Sequence, residues 1–286
     1  MATRRIGAAR FDHGAQFFTI RSDAFAARIQ PHIDSGLVYE WCRGFPKADG
    51  AHGDGYPRYA VRGGMNALAK AMAAPLDVRC NSFVFAIRPN VEAAGRGGAW
   101  SIALDDGSAL TADAVVVTCP VPQSYSLLVA GGLTLPEALI RADYDRTIAV
   151  MLSLSAPAAV PEPGGTPDPG GVLSFVTDNQ RKGVSDTPAV TVHAKAGWSE
   201  AHWGDDPAAL VDALSAEAAR YLGGAAVIEA QVKRWRFATP RTVWPDPCWT
   251  AAGAAGPLAL AGDAFAGPKV EGAVQSGAAA AALLLV

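Results

Sequence analysis

Leu260-Ala261-Gly262-Asp263-Ala264-Phe265-Ala266-Gly267-Pro268-Lys269-Val270-Glu271-Gly272-Ala273, followed by an Ala/Leu tail, is the stretch that decides how this chain is read. The apolar run 257–261 predicts a strand. Gly262-Asp263 and Gly267-Pro268 predict a turn and a loop, and the small residues from Glu271 onward predict a helix whose N-terminus faces that turn. The free N–H groups and positive dipole end of such a helix suit a ligand atom that carries negative charge. The Asp263 carboxylate suits a ribose or ribityl hydroxyl. Together they would hold separate parts of one long cofactor. The competing structural reading is an ordinary core strand followed by a packing helix.

This ending resembles the C-terminal flavin motif of the FAD-dependent amine oxidase superfamily and is most similar to its renalase branch. The resemblance implies that Gly262 and Asp263 bind the flavin side chain near the pyrophosphate. It also implies that the helix starting at Glu271, Gly272 and Ala273 points at N1 and the C2 carbonyl of the ring. A reduced flavin carries negative charge at N1, which a helix N-terminus stabilises. Met1-Ala2-Thr3-Arg4-Arg5 and Phe11-Asp12-His13-Gly14-Ala15-Gln16-Phe17-Phe18-Thr19 resemble the family's second motif, where the chain passes beneath the ring. That match implies Arg4, Gly14, Ala15 and Gln16 as cofactor-binding residues. Gly14-Ala15 is small enough for a planar ring to lie close to the backbone. Gly63-Gly64-Met65-Asn66-Ala67-Leu68 resembles the family's Gly-Met-Asn helix start and implies Met65. Val115-Val116-Val117-Thr118-Cys119-Pro120 resembles a strand ending in Thr-x-Pro and implies Thr118 and Pro120; Val84 joins the cofactor set on the same resemblance. Asp178-Asn179 with Lys182, the stretch from His193 to Ser199, and Arg234-Trp235-Arg236-Phe237 carry the match over nearly the whole chain.

One departure matters. In the family, a strand, Gly-x-Gly-x-x-Gly, a helix and a second strand ending in an acidic residue precede this point and cradle the ADP part of the cofactor. The chain shows none of this. Gly63-Gly64 and Gly97-Gly98 have the wrong context, since neither follows an apolar strand and opens a helix. The expectation is a truncated start; a naturally degenerate member is the alternative. On the truncated reading, the missing central strand belongs beside the strand of 259–262.

The expected fold is therefore α/β: an N-terminally incomplete FAD/NAD(P)-binding Rossmann-like domain with an inserted α+β substrate domain on a mainly antiparallel sheet. The flavin domain would use 1–34, 60–125 and 255–286, and the substrate domain 35–59 and 126–254. Helices are expected over 23–33, 65–74 and 207–222. Strands are expected over 36–42, 77–80, 83–88, 100–104, 109–110, 114–118, 147–155, 172–177, 189–194 and 227–237. The stretches 44–56 and 157–171, rich in Gly and Pro, read as loops.

Composition fits a soluble enzyme of one large or two ordinary domains: 286 residues, half of them hydrophobic, with a formal net charge of −3. Nothing in that balance points to nucleic acid or an anionic membrane. Cys42, Cys80, Cys119 and Cys248 are scattered, with no Cys-x-x-Cys or Cys/His cluster, so neither a metal site nor a disulfide scaffold is expected. The early arginines lack the apolar region of a secretory signal, and the tail from Gly277 is too short for a membrane span. A cytoplasmic location is the resulting expectation.

Flavin supplies the redox chemistry, so the protein needs mainly to orient a donor and tune the ring. Asn179 and His193 are the candidate catalytic residues lining the substrate face. An amide such as Asn179 suits a nicotinamide carboxamide, while a satisfied structural histidine is the competing reading of His193. Asp178 reads as a turn residue. Arg181 and Lys182 suit phosphates of a pyridine nucleotide or are simply solvated. Asp12-His13 as a catalytic pair is disfavoured by the adjoining Gly14-Ala15, and Gln16 is placed at the ring's polar edge. The renalase resemblance implies oxidation of aberrant dihydronicotinamide nucleotide isomers with oxygen as acceptor. A flavin amine oxidase acting on a small amine is the alternative, and an inactive, flavin-free truncated protein or binding module is the alternative of another class.

Overall fold

A computed structural model describes residues 1–45, 54–90, 98–251 and 256–284; parts of the expected 44–56 loop, Gly97 and the last two residues of the tail lie outside the described residues. The first elements are two short strands, β1 (Thr3–Ile6) and β2 (Ala9–Asp12), paired antiparallel across a turn at Gly7 with φ +54°. Helix α1 (Asp23–Asp34) follows, its first turn capped by the Ser22 hydroxyl, which accepts from the Phe25 N–H. Next come β3 (Val38–Cys42), β4 (Arg58–Val61), α2 (Asn66–Ala73), β5 (Val84–Pro89), β6 (Trp100–Leu104), β7 (Ala109–Ala112) and β8 (Val115–Val117). Then follow α3 (Val121–Val129), α4 (Glu137–Ile140), β9 (Tyr144–Leu154), β10 (Gly165–Gly170), β11 (Leu173–Asp178), β12 (Ala189–Ala194), α5 (Ala196–Ala201), α6 (Pro207–Glu217) and α7 (Ala219–Leu222). The described chain closes with β13 (Val227–Pro240), β14 (Trp249–Ala251), β15 (Leu258–Leu260) and α8 (Val270–Leu284).

These elements form two compact units. One holds Met1–Leu76 and Asp145–Ala238; the other holds Asp77–Tyr144 and Thr239–Val286. The first unit is built on a sheet in the order β10-β11-β12-β9-β13. Alternation decides its two faces. Ile148, Val150, Leu152, Val176, Val190 and Val192 point one way and bury a core with Leu210 and Leu214 of α6. Each such Val or Leu contributes on the order of 1.5–3 kcal/mol by leaving water. Phe175, Thr177, Thr191 and His193 alternate with those residues and therefore point to the opposite face, where the polar chemistry lies.

The second unit carries an antiparallel sheet, β5-β6-β7, and a small sheet in the order β14-β15-β8. In the latter, β15 runs parallel to β8, pairing Leu258, Ala259 and Leu260 with Val115, Val116 and Val117. On its other side β15 pairs antiparallel with β14. The strand of 259–262 thus has a neighbour on both sides, contrary to the expectation that it lacks one. The edges of this sheet are β14 and β8.

Mixed α/β architecture with mainly antiparallel sheets matches the sequence expectation. Several details do not. The Gly/Pro stretch 157–171 contains β10, which pairs with β11 across a bulge between Pro167 and Gly170; prolines are tolerated there because β10 is an edge strand. The expected 207–222 helix is broken at Ala218, whose ψ of 2° leaves the helical basin. The segment 77–80 is not a strand, and β1, β2, β4, α3, α4, α5 and β14 were not foreseen. No helix among the described residues is long and apolar enough to cross a membrane.

Candidate functional site

In the first unit, the polar face is organised by Asp12 at the end of β2. Its carboxylate is fully buried and receives three donors: the Thr3 hydroxyl at 2.6 Å, the Met65 N–H at 2.8 Å and the Lys182 ammonium at 2.7 Å. Both side chains of the Asp12–Lys182 pair are 0% exposed. The Asn66 N–H donates to the Thr3 hydroxyl at 3.2 Å. The free N–H groups at the start of α2 are therefore met by Asp12 and Thr3, since Met65 offers no side-chain cap of its own. Gly64 is required here: at φ +108°, a Cβ would fall on the Thr3 side chain. Burial pulls the Lys182 ammonium below the usual lysine range, with the Asp12 carboxylate opposing that shift. Burial, reinforced by the Asp12 charge, raises the Tyr39 phenol to about 12; its hydroxyl bonds the Lys182 carbonyl.

The backbone of Asp12 is held as firmly. Its N–H donates to the Asn179 side-chain oxygen Oδ1 at 3.0 Å. Its C=O accepts from Gln16 Nε2 at 2.8 Å and from the Thr191 hydroxyl at 2.9 Å. Asn179, 0% exposed, spends its amide N–H groups on the Thr191 hydroxyl at 2.9 Å and the Ala189 carbonyl at 3.4 Å. Asn179 thus ties β11 and β12 to the Asp12 loop. The next carbonyl, that of His13, accepts from Trp235 Nε1 at 2.7 Å and meets His193 Nε2 at 3.1 Å. A carbonyl only accepts, so His193 carries its proton on Nε2 and presents Nδ1 as an acceptor. His193 Nδ1, His13 Nδ1 and Gln16 Oε1 are buried with no protein partner. Burial is the largest cause holding both His13 and His193 down at about 4, so both imidazoles are neutral at neutral pH.

Around this face lies a group of rings. Phe17 packs on Trp41, Phe45 and Phe175 with centroids 5.3–6.3 Å apart. Phe175 sits directly across from His193 in the β11–β12 register. Arg58 lies over Phe17 at 5.5 Å and Lys182 over Trp41 at 5.2 Å.

In the second unit, two parallel strands each lead through a turn into a helix: β8 through Thr118 and Pro120 into α3, and β15 through Gly262-Asp263 into α8. Ligands favour the carboxyl ends of parallel strands in such arrangements. Gly262 has φ +143°, and its N–H donates to the Ser276 hydroxyl on α8 at 2.9 Å. Gly272 is packed so closely that a Cβ would strike the Gly267 and Ala266 carbonyls, so the first turn of α8 sits directly on the loop after Asp263. Glu271 Oε1 accepts from Gln275 at 3.1 Å, and the Ala273 N–H donates to the Lys269 carbonyl at 3.0 Å. Burial pushes the Asp263 carboxyl above the usual carboxylate range. Tyr144 stands near; its hydroxyl accepts from the Val121 N–H at the start of α3 at 3.2 Å. Burial raises it to about 12, with the Asp263 charge contributing. A half-buried carboxylate beside a glycine-shaped helix start fits the hydroxylated side chain of a flavin.

The candidate residues thus divide between the units. Arg4, Gly14, Ala15, Gln16, Met65, Asn179 and His193 belong to the first, while Val84, Thr118, Pro120, Gly262, Asp263, Glu271, Gly272 and Ala273 belong to the second. One sequence reading needs correction: Lys182 is neither solvated nor a phosphate ligand but the buried partner of Asp12. Arg181 is exposed, as the solvated reading has it, and pairs with Glu162 and Asp178. Asp178 is a turn residue as expected, accepting from the Gln180 and Arg181 N–H groups. Thr191, Tyr144 and Ser276 were missed, because hydroxyl groups carry no spacing signal until the strands are paired; Thr3 and Trp235 stood within matching motifs but without these partners.

Residues 11–285 match the family described as flavin containing amine oxidoreductase. The chain belongs to that family. In structure it is similar to a chain from Exiguobacterium sp. 255-15 assigned as a protoporphyrinogen oxidase, with TM-score 0.57 and 15% identity over 80% of this chain and 52% of that one. It also matches the PF1083 protein from Pyrococcus furiosus, with TM-score 0.49 and 15% identity over 81% of this chain and 54% of that one. The chain therefore spans about half the length of these solved structures, and at this identity the first likeness bears on fold alone.

Proposed function

We propose that the chain is an FAD-dependent oxidoreductase resembling renalase, oxidising aberrant dihydronicotinamide nucleotide isomers with oxygen as acceptor. The observation that carries this is the Gly262-Asp263 turn between β15 and α8, with Gly272 shaping the helix start. FAD, when bound, supplies the hydride chemistry. Asp263 would hold a side-chain hydroxyl, and the α8 N-terminus would face the negative edge of the reduced ring. His193 Nδ1 and Gln16 Oε1 are acceptors suited to amide N–H groups, which favours a carboxamide-bearing donor. The alternative substrate, a cationic amine, is less well served: the aromatic group at Phe17 and Trp41 is already faced by Arg58 and Lys182.

Purified protein should titrate with FAD and show bound-flavin absorbance at about 450 nm that dihydronicotinamide isomers bleach and oxygen restores. Asp263→Ala should weaken FAD by more than tenfold, roughly 1.4 kcal/mol or more for a charged hydrogen bond. In the same variant, cofactor-free stability should rise at neutral pH. The raised carboxyl means the folded state disfavours the ion, a penalty present above the folded pKa and absent below the unfolded one. Unchanged FAD affinity in Asp263→Ala would remove Asp263 from the cofactor site.

A further inference from the structure

We propose that Arg4 and Lys233, set beside the His13–Trp235 stack in the first unit, form an anion subsite for a phosphate or pyrophosphate group. The proposal deepens the dinucleotide reading above and rests on it only for the source of the phosphate.

Strand β13 places Gln231, Lys233 and Trp235 on one face, because alternate residues share a side. On the alternate positions, Ala230 and Val232 pack against the apolar core, and Arg234 donates to the Trp203 carbonyl. The polar face is held against the start of the chain. Arg4 Nη1 donates to Gln231 Oε1 at 3.1 Å, and Trp235 Nε1 donates to the His13 carbonyl. The Trp235 and His13 rings stack with centroids 5.4 Å apart. Lys233 Nζ lies 4.9 Å from the Trp235 ring. Gly14 leaves room for that indole, since a Cβ would meet it at 3.4 Å.

Both cations are half-buried. Among the described residues, neither forms an ion pair with a carboxylate. Asp12 is consumed by Lys182, Thr3 and the α2 start. Glu229, on the same face of β13 and two residues from Gln231, lies toward Gly7 and forms no ion pair with Arg4 within 4 Å; it is four residues or roughly 13 Å along the strand from Lys233. Two cations without an ion-pair partner at one strand face make a region that favours an anion. A separate observation points the same way: His13 is 5% exposed, and its Nδ1 is buried with no partner. The charges of Arg4 and Lys233 both act on that imidazole, after burial the largest influences holding it down.

The test uses the whole chain and sodium pyrophosphate as probe, by calorimetric titration at constant ionic strength. Saturable binding is expected, weakened about tenfold by Lys233→Gln and by Arg4→Gln, and largely kept by Lys233→Arg. In the unmutated protein, bound pyrophosphate should raise the His13 pKa, read from its imidazole NMR resonances, because an adjacent anion favours the imidazolium. That measurement needs no variant to fold. Absence of binding, binding unaffected by both Gln variants, or binding that leaves His13 unmoved would each overturn the proposal. FAD and a dihydronicotinamide dinucleotide are then titrated separately; whichever loses affinity in Lys233→Gln supplies the phosphate. Because pyrophosphate binding requires no flavin, a protein that binds the probe but never FAD would keep this subsite while removing the flavoprotein reading.

Discussion

Lys182→Met is expected to destabilise the fold by about 3–5 kcal/mol, the usual cost of leaving one member of a buried ion pair without its partner. The structure explains why the site has no cheap escape. The Asp12 carboxylate is 0% exposed, so water does not replace the lost ammonium. Its remaining donors, the Thr3 hydroxyl and the Met65 N–H, are neutral. The double variant Asp12→Asn with Lys182→Met should recover a large part of the loss. An asparagine oxygen still accepts from Thr3 and Met65, and no buried charge remains. Urea denaturation of both single variants and the double variant measures this directly. A loss below about 1 kcal/mol for Lys182→Met, or a double variant whose loss equals the sum of the singles, would show that the pair does not act as a buried unit.

The same pair shows where sequence reasoning stopped. Strand-turn-helix at 258–273 was legible because each part has a local signal: an apolar run, Gly-Asp, Gly-Pro, then small residues. β15 and α8 stand where that reading put them. The strands at 100–104 and 189–194 were legible for the same reason. Lys182 was not. A lysine among Gln180, Arg181 and Gly183 carries every local mark of a solvated turn, and only the long-range approach of β2 to the β11–β12 connection buries it. Asn179 and His193 were recognised as polar residues at strand ends, but what they bond was invisible. Both point at the Asp12–His13 backbone, a partner more than 160 residues away in sequence. β10 was hidden by its prolines, which mark a loop in a central strand but not at an edge. The neighbours of β15 were misjudged because strand order is a property of the whole sheet and not of any one motif.

Acidification supplies the second large effect. His193 titrates at about 4 in the folded protein, against about 6.5 in an unfolded chain. As pH falls below about 6.5, the unfolded chain takes up a proton that the folded site refuses, so stability drops with pH. The contribution is fully present above the unfolded value and is lost progressively down to about 4; a gap of this size amounts to about 3 kcal/mol. Burial is the main cause, since the Nε2 bond to the His13 carbonyl favours the charged form but does not offset desolvation. His13 adds to the loss in the same window, its folded value lowered first by burial and then by Arg4 and Lys233. Asp178 and Asp263 act in the opposite sense, because burial raises both, and protonating them as pH falls relieves a penalty. The net profile mixes these effects, so the informative quantity is a difference. His193→Gln keeps a donor for the His13 carbonyl but cannot titrate. Urea stability measured from about pH 7.5 to 4 should fall less steeply in His193→Gln than in the unmutated protein, the curves converging by about 3 kcal/mol across the window. Parallel curves would mean that His193 is protonated as readily in the fold as outside it, and that its Nδ1 is not the neutral acceptor on which carboxamide recognition depends.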